Sequence, residues 1–139
     1  MSDSAFVKKD FHRILCDDAD VFSWILSKAS IGVFYINLEH QDRFHITASF
    51  WNTMGYKNPK KEVELDIFWE VLGVAGKKTI QDLIYKTSFN ELTKERHYFS
   101  FSNKNKRILT ATSRHLVYTD SYGKRHLFVK FIADVAQKP

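Results

Sequence analysis

The stretch SFWNTMGYKNP, residues 49–59, predicts a short helix and the way in which it ends. A hydroxyl at Ser49 or Thr47 can cap the helix start, because a side-chain oxygen there accepts a hydrogen bond from an unpaired backbone N–H. Gly55 can take the left-handed conformation that ends a helix, with Tyr56 folding back onto the turn. The glycine therefore has a geometric role in this reading and not a catalytic one.

Further helices are predicted downstream of this stretch. Asn58 as a cap and Pro59 at the first helical position predict that a new helix starts at once. Short helices are expected over 59–63 and 65–72, and a longer one over 77–87. The longer segment places its apolar residues on one side and its charged and polar residues on the other, which is typical of a helix lying across a sheet.

Strand-forming segments flank these helices. IGVFYINL (31–38), a short apolar run with β-branched and aromatic residues, and the alternating RFHITAS (43–49) predict a hairpin that turns through LEHQD (38–42). RHYFSFS (96–102), RILTATSRHLVYT (107–119) and KRHLFVKFIADV (124–135) predict three more strands, joined by the turn-forming NKNK and DSYG. With an amphipathic helix over 10–29, the order predicts an α+β domain with a five-stranded antiparallel sheet and helices on one face.

Composition is typical of one folded domain. The chain has 139 residues, of which 44% are hydrophobic and 15% aromatic, so it can bury a sizeable core. The net charge is +5, and the lysines are scattered along the sequence, which favours a solvated surface over a nucleic-acid-binding surface. Cys16 is the only cysteine, so an intramolecular disulfide is excluded and a reducing compartment is expected. No apolar run is long enough for membrane insertion, and the predicted location is cytoplasmic.

The order of elements and their turns resembles the PAS domain over residues 27–136. KASIGVFYINL (28–38) resembles the first strand of that family, and FWNTMGY (50–56) resembles the short helix that ends in Gly-Tyr. YTDSYGKRHLFVKFIADV (118–135) resembles the last hairpin, with Gly123 in its turn and Asp134 near its end. The implied layout is an N-terminal flanking helix (1–26), a PAS domain (27–136) and a tail (137–139) that leads to an output domain outside this chain.

Three departures from the family pattern bear on function. Thr47 stands where many PAS sequences have Asn, and GVAGKKT (73–79) replaces the common His-Pro-x-Asp segment. The usual final Asp-Ile-Thr is Asp134-Val135-Ala136, which keeps the acid and loses the hydroxyl. The resemblance implies that Asp134 takes part in signal relay to the output domain.

The sequence disfavours photoactive flavin, haem and catalysis. The flavin domains of this family need a reactive Cys after the second strand, where this chain has NTMGY (52–56). Haem needs an axial ligand, usually a His on the long helix, and 77–87 has none. No paired-Cys or His-x-x-x-His spacing, nucleophile elbow or P-loop is present. The resident cofactor therefore stays unknown. The histidines, four of which are expected at surface or rim positions on strands, are His12, His40, His45, His97, His115 and His126.

An aromatic set between sheet and helices can be read in two ways. These side chains can line a cavity for a planar or apolar small ligand, since such sites have apolar walls and a few polar groups. They can also fill the space themselves, because interiors pack densely, and so many rings favour this second reading. The candidate ligand-binding residues are Phe34, Trp51, Phe68, Trp69, Ile84, Phe99, Phe101 and Phe128.

The leading hypothesis is a non-enzymatic PAS sensor domain of a bacterial signal-transduction protein. The resemblance implies a sensor histidine kinase of a two-component system or a diguanylate cyclase, in which binding of a ligand or partner is relayed to a covalently linked output domain. The alternatives are a ligand-free PAS interaction or dimerisation module and a small α+β enzyme with an aromatic pocket. No nucleic-acid partner is expected. A homodimer through the N-terminal helix is predicted from its apolar residues Phe11, Ile14, Leu15, Phe22, Trp24, Ile25 and Leu26.

Overall fold

The computed structural model describes residues 11, 13–14, 31–57, 59–88 and 97–133 of the chain. Within these residues, the helices with defined ends are α1 (Ala48–Met54) and α2 (Lys61–Ser88). The strands in the same ranges are β1 (Gly32–Asn37), β2 (His40–Ile46), β3 (His97–Ser102), β4 (Ile108–Thr119) and β5 (Arg125–Ala133). No helix in these ranges is long and apolar enough to cross a bilayer.

The five strands form one antiparallel sheet in the order β2-β1-β5-β4-β3. β1 lies between β2 and β5, with Phe34 opposite Ile46 on one side and Val129 on the other. The first and last strands therefore pair with each other inside the sheet, with β2 on the side of β1 and with β4 and β3 on the side of β5. The predicted α+β architecture, a five-stranded antiparallel sheet with short and long helices, is confirmed.

Strand β1, which lies in the interior of the sheet, is buried on both faces. Phe34 and Ile36 belong to the main core, which packs against α1 and α2. Val33 and Tyr35 belong to a second cluster on the opposite face. We call these the inner face and the outer face. Alternation along a strand sends successive side chains to opposite faces, so each face has its own apolar cover.

The cover of the outer face comes from the helical residues Phe11 and Ile14, which are buried in the second cluster. Two apolar residues of the predicted N-terminal helix thus pack on the domain's own sheet. The other apolar residues proposed for a dimer surface, from Leu15 to Leu26, lie outside the described residues.

The helix α1 ends as the sequence predicts but starts differently. Gly55 has φ of 83°, and its N–H donates to the carbonyl of Asn52. The N–H of Tyr56 donates to the carbonyl of Trp51 at 2.9 Å, which folds the chain back. The predicted hydroxyl cap is wrong, because Thr47 Oγ1 instead accepts from Val33 N–H at 3.0 Å and contacts Ser49 Oγ. The threonine ties α1 to the sheet.

The helical segments predicted after Pro59 merge into α2. This helix starts at Lys61, so Pro59 precedes it and the predicted first-position role is wrong; Asn58 lies outside the described residues. The helices expected over 59–63 and 65–72 form one continuous helical segment, and the helix expected over 77–87 lies in a second segment after a kink at Gly73, where φ is 73° and ψ is 177°. This single non-helical residue separates the two segments, as the separate helices over 65–72 and 77–87 predict.

Two hairpin turns are held by side chains. The β1–β2 turn is shorter than the predicted LEHQD, because Asn37 Oδ1 accepts from the N–H groups of Glu39 and His40, and β2 starts there. In the β4–β5 turn, Asp120 Oδ1 accepts from the N–H groups of Tyr122 and Lys124, and Gly123 has φ of 78°. Both are side-chain-to-backbone turns of the kind that Asn and Asp favour.

Candidate functional site

A cavity of about 550 Å³ lies between the β1–β2 part of the sheet and α2. We call it the inner cavity. Its walls come from β1, β2 and both parts of α2, so the Gly73 kink lies between two helical segments that face the same space. The residues that line it are Phe34, Ile36, Gln41, Phe44, Leu65, Trp69, Gln81, Ile84, Tyr85 and Ser88.

The chemistry of the inner cavity is apolar with a few neutral polar groups. Rings and aliphatic side chains form most of the wall, and none of the described lining residues carries a charge. Gln41 Nε2 donates to Ser88 Oγ at 3.3 Å, and Ser88 Oγ donates to the carbonyl of Ile84. This pair links β2 to the end of α2 at the cavity. Such a lining suits a neutral ligand with a large apolar surface.

Three of the predicted ligand-binding residues line the inner cavity, namely Phe34, Trp69 and Ile84. Phe68 lies behind the wall, stacked on Phe34 with ring centroids 5.1 Å apart and planes 11° apart. Lys77 Nζ lies 5.6 Å from the Trp69 ring centroid, where a cation is attracted to the face of the ring. Whether these residues bind a ligand stays a prediction.

The remaining predicted residues of the inner face fill the core away from the cavity. Trp51, Phe99 and Phe101 are buried in the main core. Phe101 meets the ring of Phe131 edge to face, with centroids 5.2 Å apart, and Phe50 meets Phe101 at 5.8 Å in the same way. Edge-to-face rings pack densely and favourably. The inner face therefore has both of the arrangements that the sequence allows. Aromatic side chains fill the space beside β3 to β5, and the inner cavity lies beside β1 and β2.

Phe128 is the exception, because it lies on the outer face of the sheet. Its neighbours Leu127 and Val129 point to the main core, so alternation sends Phe128 to the other side. There its ring lies 5.1 Å from Tyr35 and 5.8 Å from Phe11, measured between centroids. The prediction that Phe128 lines the inner cavity is therefore wrong. That prediction follows from its aromatic side chain and not from its position in the alternation along β5.

Sequence reasoning missed the polar residues of the inner cavity. Gln81, Ile84 or Tyr85, and Ser88 recur at three- and four-residue spacing, which puts them on one helix face. That spacing was available as a signal but does not show which face meets a cavity. Gln41 had been assigned to a turn, and its role depends on the earlier start of β2.

The outer face carries a buried chain of hydrogen bonds. Tyr35 Oη lies 2.7 Å from His126 Nδ1, and His126 Nε2 lies 3.0 Å from Asp120 Oδ2. In the neutral imidazole, Nε2–H donates to the carboxylate and Nδ1 accepts from the tyrosine hydroxyl. His126 is 1% exposed, so the expected rim position is wrong for this histidine.

Asp120 is the charged end of this chain. Burial opposes its ionisation, but hydrogen bonds from His126 and from the backbone of Lys124 and Tyr122 outweigh it and hold its pKa below the ordinary value. The carboxylate is therefore fully engaged at neutral pH by groups of its own hairpin. Tyr35, at the other end, is covered by Phe11, so the chain runs from a surface turn to the helical cover.

Metal ligands do not converge in the described part of the chain. No group of three or more His, Cys, Asp or Glu side chains could hold a metal ion there. Cys16, His12 and the predicted relay residue Asp134 lie outside the described residues.

Comparisons with known proteins bear on the fold. No family model matches the chain, and no curated protein matches it. Among solved structures, the chain is similar to the crystal structure of the PAS domain of a protein from Desulfitobacterium hafniense, with 17% identity and a TM-score of 0.50. The match covers 78% of this chain and 97% of that domain. The likeness, together with the strand order and the helices on the inner face, shows that this chain has the PAS fold.

Proposed function

We propose that this chain is a non-enzymatic PAS sensor module that binds a neutral, largely apolar small molecule in the inner cavity. The observation that carries the proposal is the cavity of about 550 Å³ with its uncharged lining. Ligand sites commonly have volumes of about 300–1,000 Å³ and combine apolar walls with a few polar groups that fix orientation. Gln41, Gln81 and Ser88 supply such groups here.

A ligand in this cavity would bias the kinked helix. Leu65 and Trp69 lie before Gly73, and Ile84 and Tyr85 lie after it, so one molecule would contact both parts of α2. A ligand shifts a conformational equilibrium only by its differential affinity for the two states. Contacts on both sides of the kink provide that difference, because they favour one angle between the parts.

We further propose that this change is relayed to a covalently linked output domain of a bacterial signalling protein, of histidine kinase or diguanylate cyclase type. The support is the PAS fold. Asp134 remains the proposed relay residue, and a homodimer through the N-terminal helix remains the proposed assembly.

The second candidate function is a ligand-free interaction module. The observation that favours it is the filled part of the inner face, where Phe50, Phe68, Phe101 and Phe131 are each 0% exposed. A module of this kind would use its fold as a scaffold and keep the inner cavity without a ligand.

Native mass spectrometry separates the two functions. The purified chain is screened against neutral aromatic and aliphatic metabolites, and a bound mass supports the sensor. Ile84→Phe should abolish binding, because the larger ring enters the cavity, and should cost little stability because there is space for it. Tyr98→Ala, at an exposed position of β3, is the control and should bind as the parent does. A parent chain that stays ligand-free through the screen contradicts the sensor proposal.

A further inference from the structure

A second cavity, of about 310 Å³, lies on the outer face where the β1–β2 turn meets the β4–β5 turn. We call it the outer basic cavity. It is separate from the inner cavity and shares none of its lining residues. The residues that line it are Arg13, Asn37, His40, Arg43, Asp120, Tyr122, Lys124 and His126.

Positive charge dominates this lining. Arg13, Arg43 and Lys124 carry three positive charges at neutral pH, against one negative charge on Asp120. They come from three separate parts of the fold: the helical residues near Phe11, strand β2 and the β4–β5 turn. The described lining therefore has a net charge of +2 with both histidines neutral, from three positive and one negative group.

The carboxylate of Asp120 is already hydrogen-bonded within its own hairpin. Its Oδ2 accepts from His126, and its Oδ1 accepts from the backbone N–H groups of Tyr122 and Lys124 at 2.9 and 3.0 Å. These donors satisfy the acid from within the turn.

Arg13 and Arg43 both line the cavity, and each makes another contact as well. A guanidinium has five N–H donors in a planar fork, so it can bind more than one partner at a time. That fork matches the oxygens of a phosphate or a carboxylate and can bind two of them at once. Lys124 adds a point charge from an exposed turn.

We propose that the outer basic cavity binds a small soluble oxyanion with two negative charges, of the phosphate class. Arg13 and Arg43 hold its oxygens, Lys124 balances the second charge, and the exposed Tyr122 hydroxyl is a neutral donor at the rim. A bound dianion ties the helical cover of the outer face to β2 and to the last hairpin. The module then has a second input, independent of the ligand proposed for the inner cavity.

The test is an NMR titration of the full chain with inorganic phosphate at constant ionic strength. Saturable shifts are expected at the backbone amides of Tyr122, Lys124 and His40. Lys124→Gln should weaken binding about tenfold, since a hydrogen bond to a charged group is worth about that much. Lys78→Gln removes the same charge from an exposed position of α2 and should leave the affinity unchanged.

Two further variants, Arg43→Gln and Ile84→Phe, are titrated in the same way. Arg43→Gln should also weaken binding, and if it unfolds the chain, Lys124→Gln decides, because Lys124 is exposed. Ile84→Phe should leave phosphate binding intact, which separates this site from the inner cavity. Unsaturable shifts spread over the surface lysines, or equal affinity for Lys124→Gln and Lys78→Gln, would overturn the proposal.

A lipid headgroup offers the same phosphate chemistry and is tested with vesicles. Co-sedimentation with phosphatidate vesicles that free phosphate does not compete away would overturn the assignment to a soluble anion. Absence of co-sedimentation, or its loss on addition of phosphate, supports that assignment.

Discussion

The inner and outer faces of the sheet are stabilised in different ways, although they share the same strands. On the inner face, Phe50, Phe101 and Phe131 pack ring against ring, and volume and shape determine the fit. On the outer face, Tyr35 and His126 are buried as well, but they are joined by hydrogen bonds in a chain that ends at Asp120. A packed face tolerates exchange of similar shapes, whereas a polar face requires particular partners.

Two neighbouring residues of β1 show the contrast directly. The ring of Phe34 stacks on Phe68 beside the inner cavity, and the hydroxyl of Tyr35 binds His126 under the helical cover. The inner face therefore carries the larger apolar cluster, and the outer face carries the buried polar groups. This difference makes the inner cavity suited to neutral ligands and the outer basic cavity suited to anions.

The largest expected effect is the loss of a ring from the inner face. Phe131→Ala should lower the free energy of unfolding by about 3–5 kcal/mol, since it leaves a cavity among four other phenylalanines. Phe128→Ala, on the same strand but facing outward, should cost about 3 kcal/mol, because Phe11 can move into part of the space. Urea unfolding measures both. A larger loss of unfolding free energy for Phe128→Ala than for Phe131→Ala would show that ring packing stabilises the outer face more than the inner face.

The next effect concerns the turn that carries the chain from α1 to α2 over the inner face. Gly55→Val should lower the free energy of unfolding by about 2–3 kcal/mol, because a β-branched residue tolerates positive φ poorly. The nearest atom to an added Cβ is Lys104 Cβ at 3.4 Å, so the cost is conformational and not a clash. Gly55→Asn is the control and should cost less, since Asn enters this region more readily. Unchanged thermal unfolding of Gly55→Val would refute the account of the turn.

The fold could be predicted from the sequence because its signals are local. The apolar run IGVFYINL and the alternation in the three later strands predict the sheet, and Gly-Tyr at residues 55–56 predicts the end of α1. The course of α2 was only partly predicted. The break before 77–87 falls at Gly73, which departs from helical geometry, whereas the helices expected over 59–63 and 65–72 form one segment.

The candidate site was only partly predictable. Phe34, Trp69 and Ile84 could be selected by residue type, whereas Gln41 and Ser88 meet across 47 positions of sequence, a contact that no local pattern encodes. The burial of His126 depends on what covers the outer face, and its own strand carries no sign of that cover. Residue type predicts which side chains can line a cavity, but the tertiary structure determines which of them come together there.

A moderate effect is expected from the hydroxyl on the outer face. Tyr35→Phe should lower the free energy of unfolding by about 1–2 kcal/mol, because it leaves His126 Nδ1 buried without this hydrogen bond. The ring and its contact with Phe11 remain, so the loss reports the hydrogen bond and not the packing. Tyr98→Phe, at an exposed position, is the control and should be neutral. A neutral Tyr35→Phe would mean that the outer face is stabilised by packing alone, as the inner face is.

The smallest effect is the acid dependence that Asp120 gives to the outer face. Its pKa in the folded chain lies below the ordinary value of 3.8, so the ionised form is favoured by folding. The resulting stabilisation is present above that ordinary value and is lost as the pH falls through the lower folded pKa. The difference in free energy of unfolding between the parent and Asp120→Asn should therefore be largest near neutral pH and shrink in acid below about 3.8. Asp82→Asn, at an exposed position of α2, is the matched control. Urea unfolding at a series of pH values measures the difference, and a gap that widens in acid would show that the carboxylate is not held by His126 and the turn in the way the geometry indicates.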